Sequence, residues 1–142
     1  MLEDINIPVR LKLSALWTAL MFCYVYGDYF GLYHPGQLKG MLEGGGPIGP
    51  ASQGSLVVVS VVMVIPSLMT FLPVVLPPVL NRWLNIALGL IYTVIVALTL
   101  PGSWAFYVMF SSVEILLSLL IVWYAWSWPK AAPPPRDDSR PG

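Results

Sequence analysis

The sequence predicts an all-α fold: an integral membrane four-helix bundle with both termini cytoplasmic and a proline-kinked second helix. Three observations predict it. Hydrophobic residues make up 57% of the chain and charged residues only 10%, against roughly 25% charged in soluble domains, so too few polar side chains exist to cover a water-exposed surface. Four apolar runs, residues 11–30, 56–80, 83–100 and 104–128, approach or exceed the roughly 20 residues that cross about 30 Å of hydrocarbon. The basic residues gather on one side of those runs.

Pro8 opens the first run, and Arg10 and Lys12 flank it. Its apolar stretch is longer than a secretory signal needs and ends in Tyr-Gly-Asp-Tyr-Phe rather than a small-residue cleavage site, so a retained helix is expected. The connection over 34–55 is expected to form an external cap or lid. It holds a short helix over 35–43 with proline near its start, then Gly-Gly-Gly-Pro-Ile-Gly-Pro at 44–50, a run expected to carry no regular structure.

The second run carries Pro66, Pro73, Pro77 and Pro78. An interior proline removes a helix hydrogen bond and bends the axis, and in a membrane the freed carbonyl is satisfied by neighbouring helices. A kink near Pro66 is therefore expected, opening space beside Ser67. Asn81 is a natural N-cap for the third helix, Pro101-Gly102 turns the chain into the fourth, and Pro129 ends it. The tail, 130–142, is proline-rich and charged and is expected to be disordered. No repeat relates the two pairs of runs, which removes an inverted-repeat carrier half.

Four crossings put both termini and the middle connection on one face. Arg10, Lys12, Arg82, Lys130, Arg136 and Arg140 fall there, and Lys39 alone falls opposite, so the positive-inside rule assigns that face to the cytoplasm. Tyr24, Tyr26, Tyr29, Phe30, Tyr33, Trp104 and Tyr107 then form an outer aromatic belt, and Trp123, Trp126 and Trp128 an inner one.

Chemistry is sparse. Seven basic and seven acidic residues balance, leaving no field to hold nucleic acid, which is excluded as a partner. The lone Cys23 allows no internal disulfide and no thiolate cage. No phosphate loop, zinc-protease helix, nucleophile elbow or acidic dyad is present, so the chain reads as no enzyme, with no cofactor and no metal.

What stands out is Glu114, about ten residues into the fourth run and roughly 15 Å below its outer end at the helical rise. An acid at mid-bilayer is expensive unless it is neutral, paired or facing water. Ser103, Tyr107, Ser111 and Ser118 recur around it at three- and four-residue steps, forming one polar stripe on the helix. By depth, Tyr92, Ser67, Thr70 and Thr18 are its candidate hydrogen-bond partners.

Two readings follow. Glu114, with Tyr92, Tyr107, Ser111 and Ser118, is either a proton- or ligand-binding group or interhelical glue, and the absence of a second mid-membrane charge favours glue. Asp28 and His34 form a weaker outer-surface pair, since two ligands without a third make a poor metal site. Asp28 lies one helix length from Arg10, where a carboxylate stays wet. Gly27 and Gly31 have the small-xxx-small spacing of a helix contact.

The segments K-L-S-A-L-W-T-A-L-M-F at 12–22, Y-G-D-Y-F at 26–30, P-G at 35–36, L-P-P-V-L-N-R-W-L-N at 76–85 and I-V-W-Y-A-W-S-W-P at 121–129 resemble a bacterial family of small four-helix membrane proteins, domain-of-unknown-function family 6326. The resemblance runs nearly to Pro129. It implies four crossings of a bacterial inner membrane and implies no activity. The expected function is that of a multi-pass structural or accessory membrane component, partnered by the lipid bilayer and by a second copy or a larger membrane complex. The alternative is a small proton-coupled carrier built on Glu114.

Overall fold

The computed structural model describes residues 5–129. The tail expected to be disordered, with Lys130, Arg136 and Arg140, lies outside the described residues. The chain is mostly helical: α1 (Val9–Gly31), α2 (Gln37–Leu42), α3 (Gln53–Leu68), α4 (Leu72–Val75), α5 (Pro78–Thr99) and α6 (Ala105–Trp126), with two short strands, β1 (Gly45–Gly46) and β2 (Gly49–Pro50), between α2 and α3. Among them α5 and α6 are long and apolar enough to cross a membrane.

Helix α6 packs between α1 and α5, and α1 packs also against α3 and α4. Each long helix offers one stripe to this core. On α1 the buried residues are Leu13, Trp17, Leu20, Tyr24 and Gly27, a run of three- and four-residue steps that keeps one face inward. On α5 they are Asn81, Asn85, Ile86, Gly89, Tyr92 and Val96. The closest approach is at Gly89, where a Cβ would stand 2.7 Å from Val122 Cγ2 and 3.2 Å from the Ser118 carbonyl oxygen. The predicted Gly27/Gly31 contact is half present: Gly27 faces α6, whereas a Cβ on Gly31 would meet nothing within 4 Å.

The second apolar run departs from its expected form. In place of one kinked helix over 56–80 there are two, α3 and α4, with a turn across 69–71. The prolines explain the geometry. Pro66, Pro77 and Pro78 carry no N–H, so the carbonyls four residues earlier, on Val62, Pro73 and Val74, lose their helical donors. Each receives a side-chain donor from another helix. Tyr92 Oη donates to the Val62 oxygen, Asn81 Nδ2 to the Pro73 oxygen at 2.6 Å, and Arg10 Nη1 to the Val74 oxygen at 3.2 Å. Ser14 Oγ adds a bond of 2.5 Å to the Thr70 oxygen in the turn itself. Buried backbone that would otherwise be orphaned is thereby paired.

Asn81 is consequently no N-cap. Pro77 occupies that position without a side-chain bond, and Asn81 is fully buried within the first turn. It anchors a relay in which Trp17 Nε1 donates to Asn85 Oδ1 at 2.7 Å and Asn85 Nδ2 donates to Asn81 Oδ1 at 2.7 Å. At the same end Lys12 stands over the Tyr124 ring, and Arg82 lies over Trp83 and Trp126 while donating to the Trp126 carbonyl.

The glycine-rich connection is more regular than its composition predicts. Gly45 pairs with Pro50 and Gly46 with Gly49 in an antiparallel hairpin. Gly49, at φ 103°, supplies the left-handed backbone the turn needs. Helix α3 then starts on a capping box in which Ser52 and Ser55 each accept the other's backbone N–H.

Candidate functional site

Helix α6 holds Ser111, Glu114 and Ser118 on its buried face, as the three- and four-residue spacing predicts. Tyr107 is half-buried one turn before Ser111, and Ser103 lies outside the helix, in the turn, donating to the Thr99 carbonyl at 2.7 Å. Of this stripe Tyr107 and Glu114 line a partly open cavity of about 100 Å³ among α1, α3, α5 and α6, and Ser111 and Ser118 do not reach it. Its polar lining is Tyr24 and Asp28 from α1, Tyr92 and Thr99 from α5, and Tyr107 and Glu114 from α6; Val62, Met63, Ile95 and Val96 make the apolar walls.

Local sequence explains why a cavity forms here. Gly27 leaves space beside the carboxyl, since a Cβ there would sit 3.8 Å from Glu114 Oε1. Pro66 frees the Val62 carbonyl, and that carbonyl draws the Tyr92 hydroxyl to α3 and away from Glu114. Tyr92 is held by the rings of Trp17, edge-on at 6.0 Å, and Tyr24, at 6.3 Å.

The partners expected for Glu114 are all engaged elsewhere. Thr18 donates to the Ser14 carbonyl, Ser67 to Met63 and Thr70 to Ser67, each on its own helix or turn. Tyr107 donates to Thr99 Oγ1 at 3.2 Å, and Thr99 to the Val96 carbonyl. Glu114 is only 6% exposed, yet among the described residues it has no hydrogen-bond partner. The Tyr24 hydroxyl is likewise buried and unpaired, as are those of Ser111 and Ser118.

Asp28 is exposed but lines the same cavity as Glu114. No lysine, arginine or histidine joins them among the described residues. The cavity therefore presents two carboxyls with no built-in cation. Mutual repulsion and desolvation of such groups favour uptake of positive charge.

His34 does not join Asp28. Its ring packs on Trp104 with centroids 4.2 Å apart, and Nδ1 lies 3.0 Å from the Pro35 carbonyl. It lines a separate aromatic concavity of about 420 Å³ with Phe30, Tyr33, Trp104 and Phe110. No cluster of three metal-binding side chains occurs among the described residues.

Tyr24 and Gly27 are the site residues that sequence reasoning misses. Its tyrosine neighbours suggest that Tyr24 belongs to the outer belt, but it is 8% exposed and belongs to the core. The usable signal is its register, since 13, 17, 20, 24 and 27 share one helical face.

A model of a family of unknown function, DUF6326, matches residues 6–133. No curated protein and no solved structure matches the chain.

Proposed function

The chain belongs to this family of unknown function, which supplies no activity, and from its own geometry we propose a four-crossing membrane protein that binds a proton or small cation at Glu114, as a small coupled carrier does. The observation that carries the reading is Glu114 itself: buried, unbonded and lining a cavity with Asp28. Interhelical glue requires a hydrogen bond across helices; Thr18, Ser67, Thr70, Tyr92 and Tyr107 all donate elsewhere, and the unpaired Tyr24 hydroxyl makes no bond to Glu114.

Four crossings follow from adding α1 and the α3–α4 pair to α5 and α6. The 23 residues of α1 reach about 34 Å at the helical rise. The turn between α3 and α4 is compatible with lipid because its carbonyls are paired inside the protein. Arg10, Lys12 and Arg82 share one end with Trp83, Tyr124 and Trp126, an arrangement that supports a cytoplasmic face there. The membrane proposed is the bacterial inner membrane, in keeping with the resemblance. A reporter fused after Gly142 that works only outside the cytoplasm would overturn the orientation.

A structural role with a second copy has one specific observation behind it: α3 buries only Pro66 and leaves Val57, Val61, Val64 and Leu68 exposed. Mass in mild detergent distinguishes that arrangement from a monomer. The binding role is tested in proteoliposomes carrying a pH-sensitive dye. Wild-type protein is expected to dissipate an imposed proton gradient, and Glu114→Gln to abolish the movement; equal movement in both returns the protein to the structural class.

A further inference from the structure

We propose that the cavity takes a small primary or secondary alkylammonium ion, its nitrogen on Glu114 and its alkyl part against Val62, Ile95 and Val96. The proposal rests on the carrier reading above and names its cargo.

Size limits the occupant first. An apolar cavity of about 150 Å³ accommodates benzene, with its six carbons; in proportion, about 100 Å³ holds roughly four non-hydrogen atoms. Methylammonium to propylammonium fit within that volume, and choline-sized ions would extend out of its open side.

Charge and hydrogen bonding select among the cations that remain. Glu114 and Tyr24 are both more than nine-tenths buried. Among the described residues the Glu114 carboxyl has no hydrogen-bond partner, so its oxygens are free to accept N–H donors. A quaternary ammonium has no N–H to give them. A hard divalent ion takes six or more oxygens, whereas this cavity offers two carboxyls and apolar walls, and no metal-binding cluster exists among the described residues.

The walls then distinguish an organic cation from a naked one. Val62, Ile95 and Val96 cannot replace an inorganic ion's hydration shell, but they bury methylene groups favourably. The Tyr24 and Tyr92 rings, 6.3 Å apart, add π-faces that attract a desolvated ammonium. Asp28, exposed and lining the same cavity, raises the local concentration of cations. The carboxylate–ammonium pair is neutral overall, which reduces the penalty of holding it inside the fold.

The test is calorimetric titration of the full chain in phosphatidylcholine nanodiscs with propylammonium, methylammonium, tetramethylammonium and sodium chlorides. The first two are expected to bind saturably and the last two neither to bind nor to compete. Glu114→Gln should weaken propylammonium binding about tenfold or more, the loss for a charge-assisted hydrogen bond.

Gly27→Ala guards against misfolding as an explanation. Its Cβ meets only ordinary 3.8 Å contacts, so the fold is expected to persist while propylammonium is disfavoured relative to methylammonium. Sodium competing on equal terms would overturn the proposal in favour of an inorganic-cation site. If no amine binds while proton movement still depends on Glu114, the cargo assignment falls and the carrier reading survives. If neither is seen, both fall.

Discussion

Two polar clusters lie inside this bundle, and their polar groups are treated in opposite ways. In the first, Trp17, Asn85 and Asn81 are fully buried and pass hydrogen bonds in sequence to the Pro73 carbonyl. In the second, the buried hydroxyls of Tyr24, Ser111 and Ser118 are unpaired, and Glu114, only 6% exposed, has no hydrogen-bond partner among the described residues. Burial is therefore a poor guide to role by itself. A paired polar group holds helices together, whereas an unpaired one beside a cavity is a vacancy in the hydrogen-bond network that a ligand can fill.

The largest effect that sharpens this contrast is expected at Asn81. Asn81→Leu leaves the Pro73 carbonyl and one Asn85 N–H unpaired in the interior. At about 1–3 kcal/mol for each orphaned group, the loss should total roughly 2–6 kcal/mol, read as a fall in the detergent unfolding midpoint. A change below about 1 kcal/mol would mean that the relay is not what holds α1, α4 and α5 together.

Tyr92 belongs to both regions, since it lines the cavity yet its hydroxyl is bonded. Tyr92→Phe orphans the Val62 carbonyl, which Pro66 has already deprived of its helical donor, and about 1–3 kcal/mol should be lost. Restoring that donor by Pro66→Ala in the Tyr92→Phe background should recover most of it. The two changes are thus expected to be strongly non-additive, and a double-mutant cycle measures the coupling. Additivity would separate the tyrosine from the proline.

How much of this was readable beforehand follows from the same pairing logic. The helical stripe of Ser111, Glu114 and Ser118 is plain in the sequence because spacing along one helix fixes which residues share a face. The turn at 69–71 is not, because whether four prolines kink a helix or divide it depends on donors from elsewhere: Arg10 and Ser14 on α1, and Asn81 and Tyr92 on α5. Asn81 looks like a surface cap because it stands between a proline pair and Arg82, and only tertiary contact turns it inward. Depth along the helices offers Tyr92 as a partner for Glu114; it lines the same cavity but donates to the Val62 carbonyl, since a hydroxyl offered both a carboxyl and a bare carbonyl satisfies whichever its ring packing directs it toward.

Ser118→Ala carries a smaller expected effect, and of opposite sign. Its hydroxyl is buried and unpaired, so removing it relieves a desolvation penalty and sacrifices no bond. A gain of up to about 1 kcal/mol is expected. A loss of that size would reveal a partner, and Ser118 would then belong with the asparagines.

The smallest expected effect on stability is at Glu114, and it separates the two clusters most sharply. Glutamate and glutamine are nearly isosteric, so Glu114→Gln preserves packing and the cavity while removing the capacity to carry charge. Because the carboxyl makes no bond with the described residues, none is lost, and the unfolding midpoint should move by less than the equivalent of about 1 kcal/mol, the net value of one hydrogen bond. Proton or ammonium binding in the same preparation should fall steeply. Stability that is insensitive to a buried acid, together with binding that depends on it, identifies a group retained for what it binds. A destabilisation rivalling that of Asn81→Leu would instead mean that Glu114 is bonded in the folded protein, and the contrast between the two clusters would collapse into a single structural role.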